Sequence, residues 1–302
     1  SILRDRRFGK DFAGRTKLRH GPDIMNEPVF RSMSHWMLTQ DPPDHTRLRG
    51  LVVKAFTARR VEDMRPRIQA IVDESIDAVA ARGHMDLIAE FAFRLPVVVI
   101  CEMLGIPRQD RAAFFQRERN GGRLLDPVPL TRAEIDAENA AHQLTSAYFQ
   151  QLFERRRREP ADDLITQLVQ AEENGQQLSN EELTANIILL FGAGHETTVN
   201  LIGNGLLALH RHPEQLALLQ ARPELLPGAV EEFLRYDSSV QMTGRVALED
   251  IADLGGRPIP RGESVMCLLG SANRDATPDP TDPLTNREEE VLALVARGHT
   301  NA

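Results

Sequence analysis

Two cysteines in 302 residues exclude a disulfide framework. Both Cys101 and Cys267 lie in apolar runs, which suits a reducing cytoplasm. Lysine is almost absent, occurring only at Lys10, Lys17 and Lys54, so the positive charge is nearly all arginine. The net charge of −8 argues against a general nucleic-acid binder. No apolar run approaches the roughly 20 residues of a membrane span, and no signal-peptide pattern opens the chain. The first residue is Ser1 rather than methionine. Aromatic residues are only 5%, yet 41% of the chain is hydrophobic, enough for one large core or two ordinary ones.

Residues 1–40 are basic and weakly periodic, with Pro22 and Pro28 preventing a long helix. Asp41-Pro42-Pro43-Asp44 opens a helix whose first turn accommodates the prolines. His45 and Arg49, four apart, share one of its faces. Two cations on one face attract an anion, or else form an ordinary solvated surface. Helical stretches are expected over 60–81 and 86–104. The run Leu95-Pro96-Val97-Val98-Val99-Ile100-Cys101 reads as core, with Cys101 a buried apolar side chain. A long amphipathic helix over 134–158 ends in Arg155 to Arg158, four cations that suit a solvated helix C-terminus. A short helix is expected over 162–173.

The stretch from Ser179 to Pro213 organises the rest. Ser179 and Glu182 have capping-box spacing, and Leu178 and Leu183 have that of a hydrophobic staple. No breaker follows until Pro213, so a helix over 179–211, roughly 45–50 Å long, is expected. Its apolar residues fall on several faces, which argues for burial. In its middle stands Gly192-Ala193-Gly194-His195-Glu196-Thr197-Thr198. Each glycine costs about 1 kcal/mol relative to alanine, and threonine hydroxyls can bond the carbonyl four residues back and bend the helix. The segment marks either close helix contact with an incidental carboxylate, or a distorted site with Glu196 as a buried acid. Farther on, Glu232 and Arg235 can pair on the face of a helix over 227–236. Residues 240–247 read as extended, Gly255-Gly256 and Pro260-Arg261-Gly262 as turns, and 264–271 as strand.

Ala193-Gly194-His195-Glu196-Thr197-Thr198 resembles the oxygen-activation motif of the cytochrome P-450 family, the haem-thiolate monooxygenases, and further motifs follow in family order to about Asp275. The resemblance implies a mainly α fold with a small β-sheet over residues 1–277, truncated before the haem-thiolate loop. It implies haem b as cofactor, a small organic substrate, and a ferredoxin-like electron donor with its reductase. By the same resemblance Glu196 and Thr197 form a proton relay, and His45, Arg49 and Arg245 hold the haem propionates. Glu232 and Arg235 become a buried structural pair, while Ala193, Val240 and Thr243 line the substrate pocket. No membrane and no nucleic acid enter this picture.

The family's axial cysteine sits in a loop of the form Phe-x-x-Gly-x-(His/Arg)-x-Cys-x-Gly. Cys101 is followed at +2 by Met103 and Cys267 by Leu269, where that loop needs glycine, so neither is carried over as a metal ligand. After the Pro-rich segment 278–283, residues 284–302 resemble the start of a LuxR-type helix-turn-helix domain without its recognition helix. The readings are therefore an incomplete monooxygenase, a non-catalytic haem-less remnant joined to a regulator fragment, or a DNA-binding regulator with a sensor domain.

Overall fold

In a computed structural model, residues 2–112, 114, 121–171 and 176–274 are described. The Pro-rich segment and the helix-turn-helix resemblance lie outside them. The chain is mainly helical with a small sheet, and two compact units divide it: Ser1–Glu196 with Arg245–Val265, and Thr197–Gly244 with Met266–Ala302.

The first unit contains α1 (Phe12–His20), α2 (Pro28–Met33), α3 (Asp44–Ala55), α4 (Ala58–Asp63), α5 (Arg65–Ala80), α6 (Arg94–Met103), α7 (Arg132–Arg158) and α8 (Leu164–Gln170). The helix expected over 60–81 is thus two, parted at Met64, and a π-helical turn, Leu87–Ala92, precedes α6. A three-stranded sheet has the order β1 (Phe8–Gly9), β2 (Met242–Ala247), β3 (Ser264–Leu268). Strands β1 and β2 are antiparallel, with Phe8 opposite Ala247 and Gly9 opposite Val246.

Helix α9 (Asn180–Arg211) is unbroken, and the division between units falls within it, between Glu196 and Thr197. Its capping box is real: Ser179 N–H donates to Glu182 Oε2 (2.9 Å) and Glu182 N–H to Ser179 Oγ (3.1 Å). Burial on several faces is also real. Leu183, Ile187 and Phe191, each four apart, enter a core with Val97 and Cys101 of α6, Phe149 and Phe153 of α7, and Leu164 and Leu168 of α8. Ala185 and Leu189 enter a second core with Val29, Phe30, Met33 and Trp36. Each such leucine, isoleucine or phenylalanine contributes about 1.5–3 kcal/mol by leaving water. Cys101, with 0% exposure, is a core residue as its surroundings in the sequence imply.

The arginine run at the end of α7 is not wholly solvated. Arg156 is buried, its Nε donating to Asp163 Oδ2 and its Nη2 to the Gly105 carbonyl (2.9 Å). Asp163 Oδ1 also accepts Thr166 N–H (2.8 Å), capping α8. Gly105 has φ +70°, and a Cβ there would stand 2.0 Å from Asp163 Oδ2, so the turn after α6 admits only glycine.

In the second unit, α10 (Pro213–Ala221) and α11 (Leu226–Tyr236) contribute no buried residue, and Leu226, Val230 and Leu234 form an exposed row on α11. Helix α12 (Leu269–Arg274) follows β3. Removing one partner of a buried ion pair leaves a desolvated charge. Asp163→Ala is therefore expected to lower stability by about 3–5 kcal/mol; urea unfolding measures it, and a loss under about 1 kcal/mol would show that the pair is effectively solvated.

Candidate functional site

Helix α9 has two kinds of glycine. At Gly194 an added Cβ would lie 3.0 Å from Ile100 Cδ1, so this glycine permits close packing on α6. At Gly192 an added Cβ would meet nothing within 4 Å. Ala193 and Glu196, three apart on the same side, are exposed. The helix is shut where Gly194 meets Ile100 and where the buried His195 ring meets Phe93 edge-on (centroids 4.6 Å apart), and open along Gly192, Ala193 and Glu196. The expectation of a carboxylate deep in an apolar rod is corrected: Glu196 faces outward, because the apolar faces of α9 turn elsewhere. The expected distortion over Gly194–Thr198 does not interrupt the helix.

Asp41 gathers the elements that carry the candidate cations. Its carboxylate accepts the main-chain N–H of Lys10 (2.9 Å to each oxygen) and of Asp11 (3.1 Å). Its carbonyl accepts His45 N–H (3.1 Å) at the start of α3. Gly9 lies so close that a Cβ would stand 2.8 Å from Asp41 Oδ1. Since Gly9 pairs with Val246, the backbone brings the β2 segment bearing Arg245 to the same residue that starts the helix of His45 and Arg49. The His45 and Arg49 side chains make no hydrogen bond or ion pair among the described residues.

Two polar residues hold this framework to α9. Glu182 accepts a bidentate ion pair from Arg47 of α3, and the Asn186 side chain accepts Met37 N–H (2.8 Å) and donates to the His35 carbonyl (2.9 Å). Sequence reading missed Asn186, Arg47 and Asp41. The signal for Asn186 was a lone amide in an apolar run; Asp41 offered none beyond its place before two prolines.

In the second unit, Glu232 and Arg235 pair through two 2.7 Å bonds, and Arg235 also reaches the Asn273 carbonyl. The bond to Glu232 holds the arginine's pKa above its ordinary value. The pair is partly rather than fully buried. Ser239 Oγ donates to the Thr197 carbonyl (2.7 Å), fixing the segment that precedes exposed Val240 and half-buried Thr243. Cys267 is half-buried on β3, and no metal-binding cluster of His, Cys, Asp and Glu occurs among the described residues.

The family is decided by the relatives. The sequence model of the family described as cytochrome P450 matches residues 123–280. A putative cytochrome P450 133B2 of Xylella fastidiosa is 42% identical over 99% of this chain and 75% of its own length. The chain belongs to the cytochrome P450 family. This P450 is also 48% identical, over 90% of its length and 64% of the relative's, to the vitamin D(3) 25-hydroxylase of Pseudonocardia autotrophica. Its fold matches a crystal structure of P450BioI in complex with acyl carrier protein ligated to hexadec-9Z-enoic acid. The TM-score is 0.84 at 39% identity, covering 95% of this chain and 71% of the other. Members of the family are haem monooxygenases, so this P450 is an oxidoreductase by descent. Neither the family model nor these relatives support a LuxR-type segment in the P450 chain. Among the described residues no helix is long and apolar enough to cross a membrane.

The P450 family implies haem, and the cations His45, Arg49 and Arg245 have the chemistry to hold its carboxylates. Beside Gly192 the space is open, and His45 and Arg49 offer donors that are unused among the described residues.

The Arg47–Glu182 pair also makes a pH prediction. Burial pushes the Glu182 carboxyl up, but the Arg47 bond, the Ser179 N–H and the Arg47 charge together hold it below the usual carboxylate range. A depressed folded pKa contributes stability that is present above the unfolded value of about 4.3 and lost as pH falls through the folded one. Glu182→Gln should therefore be less stable than the parent at pH 7, with the gap closing below about pH 4. Equal stabilities at pH 7 in urea titrations would contradict this.

Proposed function

We propose that this P450 derives from a monooxygenase that inserts one oxygen atom of O2 into a small organic substrate, using haem b and electrons from a ferredoxin-like donor and its reductase, and that these 302 residues, which carry no cysteine in the haem-thiolate loop pattern, do not complete that reaction by themselves. The observation that carries this reading is the open Gly192–Ala193–Glu196 stripe on a helix whose residues from Leu183 to Phe191 feed two cores. Haem, when bound, supplies the iron chemistry that activates O2.

The chain's own residues do the rest. Arg49 and Arg245 neutralise and orient the two carboxylates by charge-assisted hydrogen bonds, with His45 donating a further one. Glu196, exposed to solvent, takes up and releases a proton, and the hydroxyl of the adjacent Thr197 hands it toward the reacting centre. Ala193, Val240 and Thr243 contact the substrate. An uncharged Gly192–Ala193 surface suits an apolar molecule, in keeping with a relative named for hydroxylating vitamin D(3). The Glu232–Arg235 pair braces α11. Two free cysteines, one sealed in the core, favour a cytoplasmic setting.

Neither cysteine is the iron ligand in this reading. Cys101 is enclosed between α6 and the aromatic core, and Cys267 sits in a strand. Titrating the 302-residue chain with haem and recording the carbon monoxide difference spectrum tests this. Weak uptake without a thiolate signature is expected. A clear thiolate signature would make one of the cysteines a ligand, and Cys101→Ala and Cys267→Ala would tell which. Arg49→Gln and Arg245→Gln should each weaken haem binding by roughly tenfold. No haem uptake in any preparation would favour a non-catalytic remnant instead.

A further inference from the structure

The chain contains one tryptophan, and the polar atom of its side chain has no use in the fold. Trp36 is buried, and its indole Nε1–H is sealed from water without a hydrogen-bond partner among the described residues. Buried indole N–H groups ordinarily find an acceptor, because an unmet donor loses its hydration and gains nothing. Here the surroundings offer none. Trp36 belongs to the second core with Ile24, Val29, Leu130, Ile135 and Leu189, whose side chains are hydrocarbon. The main chain that carries the indole is fixed as well. Its N–H donates to the Met33 carbonyl (3.1 Å), and its carbonyl accepts the N–H (3.0 Å) and the hydroxyl (2.9 Å) of Thr39. On either side, Asn186 of α9 holds the His35 carbonyl and the Met37 N–H. A donor is thus held in an apolar core where a phenylalanine ring would need no acceptor.

The face of α9 that meets this core runs on into the open stripe. Ala185 and Leu189 pack in the core, and Ala193, next at the same spacing, is exposed roughly 6 Å farther along the helix. We infer that Trp36 is a substrate-binding residue, donating its indole N–H to a neutral oxygen (carbonyl, hydroxyl or ether) of an apolar molecule that extends from Ala193 into the second core. A carboxylate does not suit the place. No residue of this core is a cation that would balance it, and His20, whose ring packs on Phe30 (centroids 5.2 Å apart), is held toward its neutral form by burial and by Arg19. The nitrogen is enclosed in this structure, so an entering molecule must part neighbouring side chains. Met25 and Met37 pack half-buried against the same core, and methionine repacks readily. That the molecule is a substrate rests on the monooxygenase origin proposed above; the unmet donor does not.

The test uses the whole chain, isotope-labelled so that its single indole N–H gives one nuclear magnetic resonance signal. Two probes of nearly the same shape are titrated, tetralone, which carries a carbonyl, and tetralin, which does not. The expected result is that tetralone binds about tenfold more tightly than tetralin and moves the indole proton downfield, while tetralin does not. In Trp36→Phe the preference for tetralone should disappear. Should that variant fail to fold, the signal and the tetralone-to-tetralin ratio in the parent chain decide by themselves. Equal affinities, an unmoved indole proton, or no binding of either probe overturns the site. So does an indole proton already downfield before any probe is added, since an internal water would then satisfy it. A tetralone preference in a chain that takes up no haem leaves the donor site standing while the monooxygenase reading falls. Haem uptake with the indole proton indifferent to tetralone is the reverse, and overturns the site alone.

Discussion

The central helix must be buried on two sides and open on a third, and most of the structure follows from that constraint. Residues spaced by four on α9 feed one core, and the residues between them feed the other. Each core draws in helices from a different part of the chain. Between Leu183 and Val199 the exposed residues of α9 are Ala193 and Glu196, with half-buried Gly192 beside them. A helix this apolar would be unsafe alone in water; here its N-terminal half is covered by the two cores, while Leu206 and Leu207 farther along are exposed.

Polar side chains then set the registers that apolar packing leaves loose. Hydrophobic contact is non-directional, so it cannot decide how far α3 slides along α9. The Arg47–Glu182 pair can, because two directed hydrogen bonds lose geometry within a fraction of an ångström. Asn186 does the same for the loop at His35–Met37, and Asp41 for the segment from Gly9 to Asp11.

The features legible in the sequence were those with local causes. Ser179 and Glu182 cap a helix because they are three residues apart, and Pro213 ends the stretch because proline lacks an N–H. Cys101 read as core because its neighbours are valine and isoleucine. What could not be read depends on pairings across long separations. Gly9 meets Val246 only through a two-residue strand, too short to leave an alternating pattern. Arg156 looked like one of four solvated arginines until Asp163 and the Gly105 carbonyl were seen beside it. Glu196 was misjudged because apolar neighbours in sequence are not neighbours in space on a helix. His45 and Arg49 were placed by their spacing, but their relation to Arg245 came from family resemblance and not from periodicity.

 Helices α10 and α11 supply no buried side chain, while α7, α8 and α9 supply many of the side chains of the two cores. Leu226, Val230 and Leu234 stand in water along α11, whereas Leu183, Ile187 and Phe191 on α9 do not. Segments with few buried contacts open at a small fraction of the global unfolding free energy. In deuterium exchange, the amides of α10 and α11 would therefore be replaced through brief local openings, while those of α9 between Leu183 and Phe191 would wait for the cores to come apart. One polypeptide thus carries two clocks.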